Sequence, residues 1–179
     1  MKAGARQERT LFYQKHLYER VLPFWLQNGV DSDYGGYFTC FSNYGDELVS
    51  TDKYVWSQGR MVWLFATLAE MDAAPEEYLA LAQSGYAFLR DHCFLPSGHC
   101  AFLLTRDGTP KEASPGQGYE TSTYADCFVV LGFAKYALVS QDQGALELAL
   151  RLFDSILARY RRGQFRTDPE PLPEGYSAH

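Results

Sequence analysis

A chain of 179 residues, 46% hydrophobic and 21% charged, has the composition of one globular domain with a sizeable core, which excludes a disordered segment. Its net charge is −6 and it has no basic run beyond Arg159–Arg162, so electrostatic capture of nucleic acid is not expected. Met1–Thr10 is polar and charged, unlike an export signal, and no stretch reaches the roughly 18 uncharged apolar residues of a membrane span, so no membrane partner is expected.

Helical periodicity dominates the chain beyond this start. Phe12, Leu17, Val21, Leu22, Trp25 and Leu26 form an apolar stripe that predicts a first helix over residues 7–28, bent or divided at Pro23. Residues 36–45 read as a β-hairpin with its turn at Asn43–Gly45. A second helix is expected over 54–71 and a third over 75–92, with Pro75 suited to a first helical turn. A second hairpin, over 98–108, carries the turn signal Asp107-Gly108; a fourth helix over 121–140 and a fifth over 143–162 complete the series.

These pieces repeat. Gly36, Gly98 and Gly163 each open an aromatic or apolar segment, at spacings of 62 and 65 residues. The first, third and fifth helices carry many charges, whereas Arg60 is the one charge between Tyr54 and Ala69. A helix apolar nearly all round is buried and a striped one lies at a surface. Alternation of the two kinds in repeated pairs predicts an all-α fold with short β-hairpins, built as a curved, layered array. The chain holds two such pairs and the charged helix of a third, and Gly163–His179 reads as the lead-in to another buried helix.

Four motifs in order identify the pattern. Gly35-Gly-Tyr-Phe-Thr-Cys40 is followed by Lys53-Tyr-Val-Trp-Ser-Gln-Gly-Arg60-Met-Val-Trp63, then Leu104-Thr-Arg-Asp-Gly-Thr-Pro110 and Tyr124-Ala-Asp-Cys-Phe128. Together they resemble the N-acylglucosamine 2-epimerase family over nearly the whole chain. The resemblance implies an (α/α)6 barrel with its active site in the central cavity, of which residues 1–179 would form the N-terminal part of one domain, incomplete in this chain. It implies a small-molecule sugar substrate, interconverted at C2 or isomerised from aldose to ketose. The proton would be exchanged between two histidines, without metal or other cofactor, and those histidines are expected outside this chain. Half a ring would leave inner helix faces open, so self-association or poor solubility of the chain alone is expected, and a homodimer is one form such association could take. A non-catalytic half-barrel or protein-binding module is the competing class. A glycoside hydrolase on the same barrel would need a carboxylic acid and a carboxylate, and the inner helices offer only Asp126.

Arg60 is the leading site candidate. A guanidinium buried among apolar neighbours needs partners for its donors. Asp52 or Asp126 would supply them in a structural role; facing the cavity, Arg60 would instead bind a substrate oxygen and stabilise charge as the C2 proton leaves. Trp56, four residues earlier, shares its helix face and, with Tyr54, would form either a sugar wall or part of the core. Trp63 is assigned to the core and Gln58 to packing or local hydrogen bonding. Asp126 and Tyr124 open the fourth helix, where the carboxylate has both a dipole-complementing reading and a cavity reading. Tyr119 stands at the expected cavity mouth. His179 falls where a third inner helix would begin, a place where the resemblance puts a substrate-binding histidine in some sugar isomerases. His16 is expected in solvent. His92-Cys93 and His99-Cys100 match no familiar zinc spacing; with Cys40 and Cys127 these cysteines form no CxxC pair, and reduced thiols in a cytoplasmic protein are expected.

Overall fold

The computed structural model describes residues 2–71 and 75–166, and it is mostly helical. Helix α1 (Lys2–His16) and helix α2 (Leu22–Asn28) are separated by one π-helical turn, Leu17–Val21. Pro23 is the cause. It has no N–H to donate to Glu19 and its ring crowds that carbonyl, so the ladder widens to a bond from the Leu22 N–H to the Leu17 carbonyl. The first helix also begins at Lys2 rather than residue 7. Ala3, Ala5 and Arg6 are strong helix formers, but they carry no apolar period to reveal them.

Strands β1 (Cys40–Phe41) and β2 (Leu48–Ser50) pair antiparallel with a bulge, around the expected turn, where the Gly45 N–H donates to the Ser42 carbonyl at 2.9 Å. The second hairpin forms around the expected Asp107-Gly108 turn, where the Gly108 N–H donates to the Thr105 carbonyl at 3.0 Å. Strand β4 (Leu103–Leu104) pairs with β5 (Pro110–Lys111), and a third strand, β3 (Lys53–Tyr54), adds to the other side of β4. Nothing in the local pattern around Lys53 signals that pairing, because its partner lies some fifty residues away.

Four long helices complete the described chain: α3 (Val55–Met71), α4 (Pro75–His92), α5 (Thr123–Ser140) and α6 (Gln143–Arg161). Ser122 caps α5, its Oγ accepting from the Tyr124 N–H at 3.3 Å, and Asp142 caps α6 by accepting from the Ala145 N–H at 3.0 Å. Helix α3 packs on α4 and on α5, and α5 packs on α6. Val62, Phe65, Leu89, Val129 and Phe133 are buried at the centre. As the alternation of charge predicts, α3 and α5 are the most buried helices. By length and composition α5 could cross a membrane; here one side of it packs on α3, α4 and α6.

Glycine brings α3 and α5 together. A Cβ at Gly59 would lie 2.4 Å from the Phe128 carbonyl oxygen, and one at Gly132 would lie 2.5 Å from that of Gly59. Only glycine lets the two backbones approach so closely.

The motif glycines and their neighbours have structural work of their own. Gly36 stands at φ +70 with space for no Cβ, because Gln58 Oε1 would be 2.7 Å away. Gln58 is fully buried and clamps the next residue: its Oε1 accepts from the Tyr37 N–H at 2.8 Å and its Nε2 donates to the Tyr37 carbonyl at 2.7 Å. Gln58 is thus buried and hydrogen-bonded, but to a partner 21 residues away rather than locally as expected.

Beside this clamp lies a buried charge cluster. Lys53 Nζ donates to Asp31 Oδ2 at 2.9 Å and to the carbonyls of Gly35 and Arg106 at 2.7 and 2.8 Å, so all three ammonium donors are satisfied. Arg106 completes a bidentate pair with Asp31, both contacts at 2.9 Å, and reaches Asp33 at 2.7 Å. Burial pushes the Asp31 carboxyl up, but hydrogen bonds from Arg106 and Lys53 and the Lys53 charge outweigh it and lower it to about 2. On Lys53 the balance is reversed: burial lowers its pKa despite Asp31. The cluster ties the loop after α2, strand β3 and the β4–β5 turn into one unit under the first turn of α3.

Candidate functional site

The small sheet fixes where α3 and α5 begin. β3 runs directly into α3, whose Val55 N–H donates to the Phe102 carbonyl at 3.0 Å; the Phe102 N–H donates to the Tyr119 carbonyl at 2.8 Å, shortly before α5. The first turns of both buried helices thus stand at one end of the molecule, beside the hairpins.

Each of these helices leaves one stripe uncovered. On α3 it runs through Trp56, Arg60, Trp63, Thr67 and Glu70; on α5 it runs through Tyr124, Phe128, Leu131, Lys135 and Leu138. These are helical i, i+4, i+7 steps on both. The far end is closed by an ion pair, Lys135 Nζ to Glu70 Oε2 at 2.6 Å. Trp63, assigned to the core from sequence, is 39% exposed on this stripe. The error is one of angle: three residues beyond Arg60 keeps Trp63 on Arg60's face, and that face is the open one.

Arg60 is exposed rather than buried. Its guanidinium lies 4.9 Å from the Trp56 ring and 4.0 Å from the Phe128 ring. Among the described residues no carboxylate pairs with it. Both carboxylates weighed as structural partners are engaged elsewhere: Asp52 Oδ2 accepts from Lys111 Nζ at 2.6 Å. Asp126 Oδ1 accepts from the Cys100 N–H and its Oδ2 from Arg159 Nη2, each at 2.7 Å. The local pairing offered for Arg60 is therefore absent. Among the described residues it is a positive charge without a counter-ion on an aromatic surface.

The other sequence-derived candidates divide between two sides. Tyr54 is half-buried with its ring 5.5 Å from Phe102, and the Trp56 ring lies 6.0 Å from Phe102. Tyr124 is exposed one turn before Phe128 on the open stripe, with Phe165 edge-on at 6.0 Å. Asp126, two residues on, points to the opposite side of α5, since successive helical residues turn by about 100°. It is 2% exposed, and it borders a separate cavity of about 490 Å³ with His99, Glu120, Ser122, Arg159 and Arg162. Its contacts join the 93–101 segment, α5 and α6. Tyr119 is exposed, and His179 lies outside the described residues.

The three described histidines are occupied or remote. His16 is exposed on α1, as expected, with its ring stacked on Phe12. His92 packs on Phe88, and His99 Nδ1 is 2.7 Å from Glu120 Oε2. Cys93 and Cys100 are buried with their sulfurs 3.7 Å apart as free thiols, and burial pushes the Cys100 thiol well up. Among the described residues no group of three or more His, Cys, Asp or Glu is placed to hold a metal. Sequence reasoning does not single out Phe128, which stands there only as the last residue of a motif; the i+4 step from Tyr124 is the signal that could have found it.

Known proteins match this chain along most of its length. A model of the N-acylglucosamine 2-epimerase (GlcNAc 2-epimerase) family matches residues 36–176. The N-acylglucosamine 2-epimerase of Bos taurus is 32% identical over 148 residues, covering 80% of this chain and 33% of that protein. The cellobiose 2-epimerase of Ruminococcus albus is 29% identical over 145 residues, covering 80% of this chain and 35% of that protein. Among solved structures, the cellobiose 2-epimerase from Spirochaeta thermophila superposes with a TM-score of 0.71 at 26% identity, over 96% of this chain and 44% of that one. The chain thus spans about a third of the length of the relatives it matches by sequence.

Proposed function

The chain belongs to the N-acylglucosamine 2-epimerase family, and from that membership we propose that it forms part of an (α/α)6 barrel that interconverts sugars at C2. In this reading α3 and α5 are inner helices and their open stripe lines the sugar cavity. The observation that carries it is Arg60: an exposed guanidinium held against two rings, with no carboxylate partner among the described residues. Aromatic faces suit the C–H surface of a sugar ring, and a free guanidinium suits its oxygens.

The chemistry starts from the open-chain sugar. The C2–H bond is α to the C1 carbonyl, so a base that takes this proton leaves the electron pair delocalised onto O1 as an enediolate. Arg60, donating to that oxygen, stabilises the charge as it develops. Return of a proton to the other face of C2 gives the 2-epimer; return to C1, with the O2 proton passing to O1 as the C2 carbonyl forms, gives the ketose. Trp56 and Tyr124 wall the sugar. The groups that move the proton are assigned outside the described residues, since His92 and His99 have other partners.

The test is Arg60→Lys in the full-length protein that carries this chain. Lysine keeps the charge but loses the planar fork. Turnover of N-acetylmannosamine, mannose or cellobiose should fall roughly 30- to 1000-fold, the equivalent of about 2–4 kcal/mol of transition-state stabilisation. The melting temperature should barely move, because Arg60 is exposed and makes no ion pair among the described residues. Normal turnover by a destabilised variant would remove Arg60 from the site.

A further inference from the structure

We infer that Phe128 is a positioning residue for Arg60, orienting the guanidinium across the α3–α5 interface; its catalytic consequence rests on the proposed role of Arg60 at the sugar oxygen. An arginine in a binding site is commonly oriented by a carboxylate, which also neutralises it and occupies its donors. Arg60 has no such partner among the described residues. It has rings instead: Phe128 at 4.0 Å from α5 and Trp56 at 4.9 Å from its own helix. A ring stacks against the guanidinium plane, and the N–H donors, which lie in that plane and point outward from its edge, stay free. Orientation is obtained while both charge and donors remain available to a ligand.

The backbone sets this contact. The Gly59 Cα faces the Phe128 carbonyl so closely that an added Cβ would stand 2.4 Å from the oxygen. That approach locks the register of α3 on α5 and places the residue after Gly59 beside the Phe128 side chain. Trp56 alone would leave Arg60 guided by one neighbour on its own helix. Phe128 adds a fixed reference from the second wall of the open face.

Two variants in the full-length protein test this, with a readout that does not depend on turnover. Phe128→Leu keeps an apolar side chain and removes the ring; Phe128→Tyr keeps the ring. The Arg60 Nε–Hε resonance, identified by its loss in Arg60→Lys, should be shifted upfield by the ring current in the wild type. It should move toward the free-arginine position and lose order in Phe128→Leu, and stay in place in Phe128→Tyr. In kinetics, Phe128→Leu should lower kcat on the order of 10- to 100-fold with a smaller change in KM, and Phe128→Tyr should restore it. An Arg60 resonance unmoved by Phe128→Leu overturns the inference whatever the activity. A resonance that moves while kcat holds refutes the catalytic consequence. A resonance that moves in a protein with no sugar turnover leaves the orientation standing and removes the proposed function instead.

Discussion

The buried cluster around Asp31 supports the first turn of α3, and removing its carboxylate is the sharpest test of how the site is held. In Asp31→Ala, Lys53 keeps its two carbonyl acceptors but loses its counter-charge while remaining fully buried, and Arg106 loses a bidentate partner. The backbone N–H groups of Asp33 and Tyr34 lose their acceptor as well. Removing one partner of a buried pair costs about 3–5 kcal/mol. Part of that is titratable. The native carboxyl sits at about 2 against an ordinary 3.8, a difference on the order of 2 kcal/mol. Because the native group binds its proton more weakly than the unfolded one, this part is complete above pH 3.8 and is lost as pH falls from there through about 2. Urea unfolding of wild type and variant, followed by circular dichroism, isolates it, since the other carboxylates cancel in the difference. The gap should be about 3–5 kcal/mol at pH 6 and roughly 2 kcal/mol narrower at pH 2. A gap below about 1 kcal/mol at pH 6, or one that does not change with pH, would refute the role given to the pair.

Gly59→Ala should destabilise by about 1–3 kcal/mol through overpacking against the Phe128 backbone, despite a helix-propensity gain of up to about 1 kcal/mol; a variant melting at or above wild type would contradict the close approach. The 179-residue chain expressed alone should self-associate, because Phe12, Leu138, Leu150 and Phe153 are exposed apolar side chains on three helices. Sedimentation velocity across a concentration series checks this, and a monodisperse monomer throughout would contradict it.

The long helices were legible because their signals are local. Pro75 and the apolar period fix α4 from Pro75 to His92 as expected, and the near absence of charge between Tyr54 and Ala69 marks α3 as buried. The face shared by Trp56 and Arg60 follows from a four-residue step alone. What escaped was non-local. Lys53 reads as an ordinary motif lysine, and only the fold brings it to Asp31, 22 residues away, and to the turn at Arg106, 53 residues away. Asp126 could be placed on a first turn but not turned toward Arg159, 33 residues on. Phe128 could be placed on α5 but not over Arg60, because that depends on where two glycines let the helices touch.

Solvent exchange at C2 bears most directly on the proposed chemistry. The full-length protein is incubated in D2O with N-acetylmannosamine, mannose and cellobiose in turn, and the C1 and C2 positions are followed by NMR as product forms. Proton abstraction and return predicts deuterium at C2 of an epimer, or at C1 of a ketose, from at least one of the three sugars. Three sugars left with C2–H intact and unepimerised, or an epimer formed with no deuterium at C2, would contradict it.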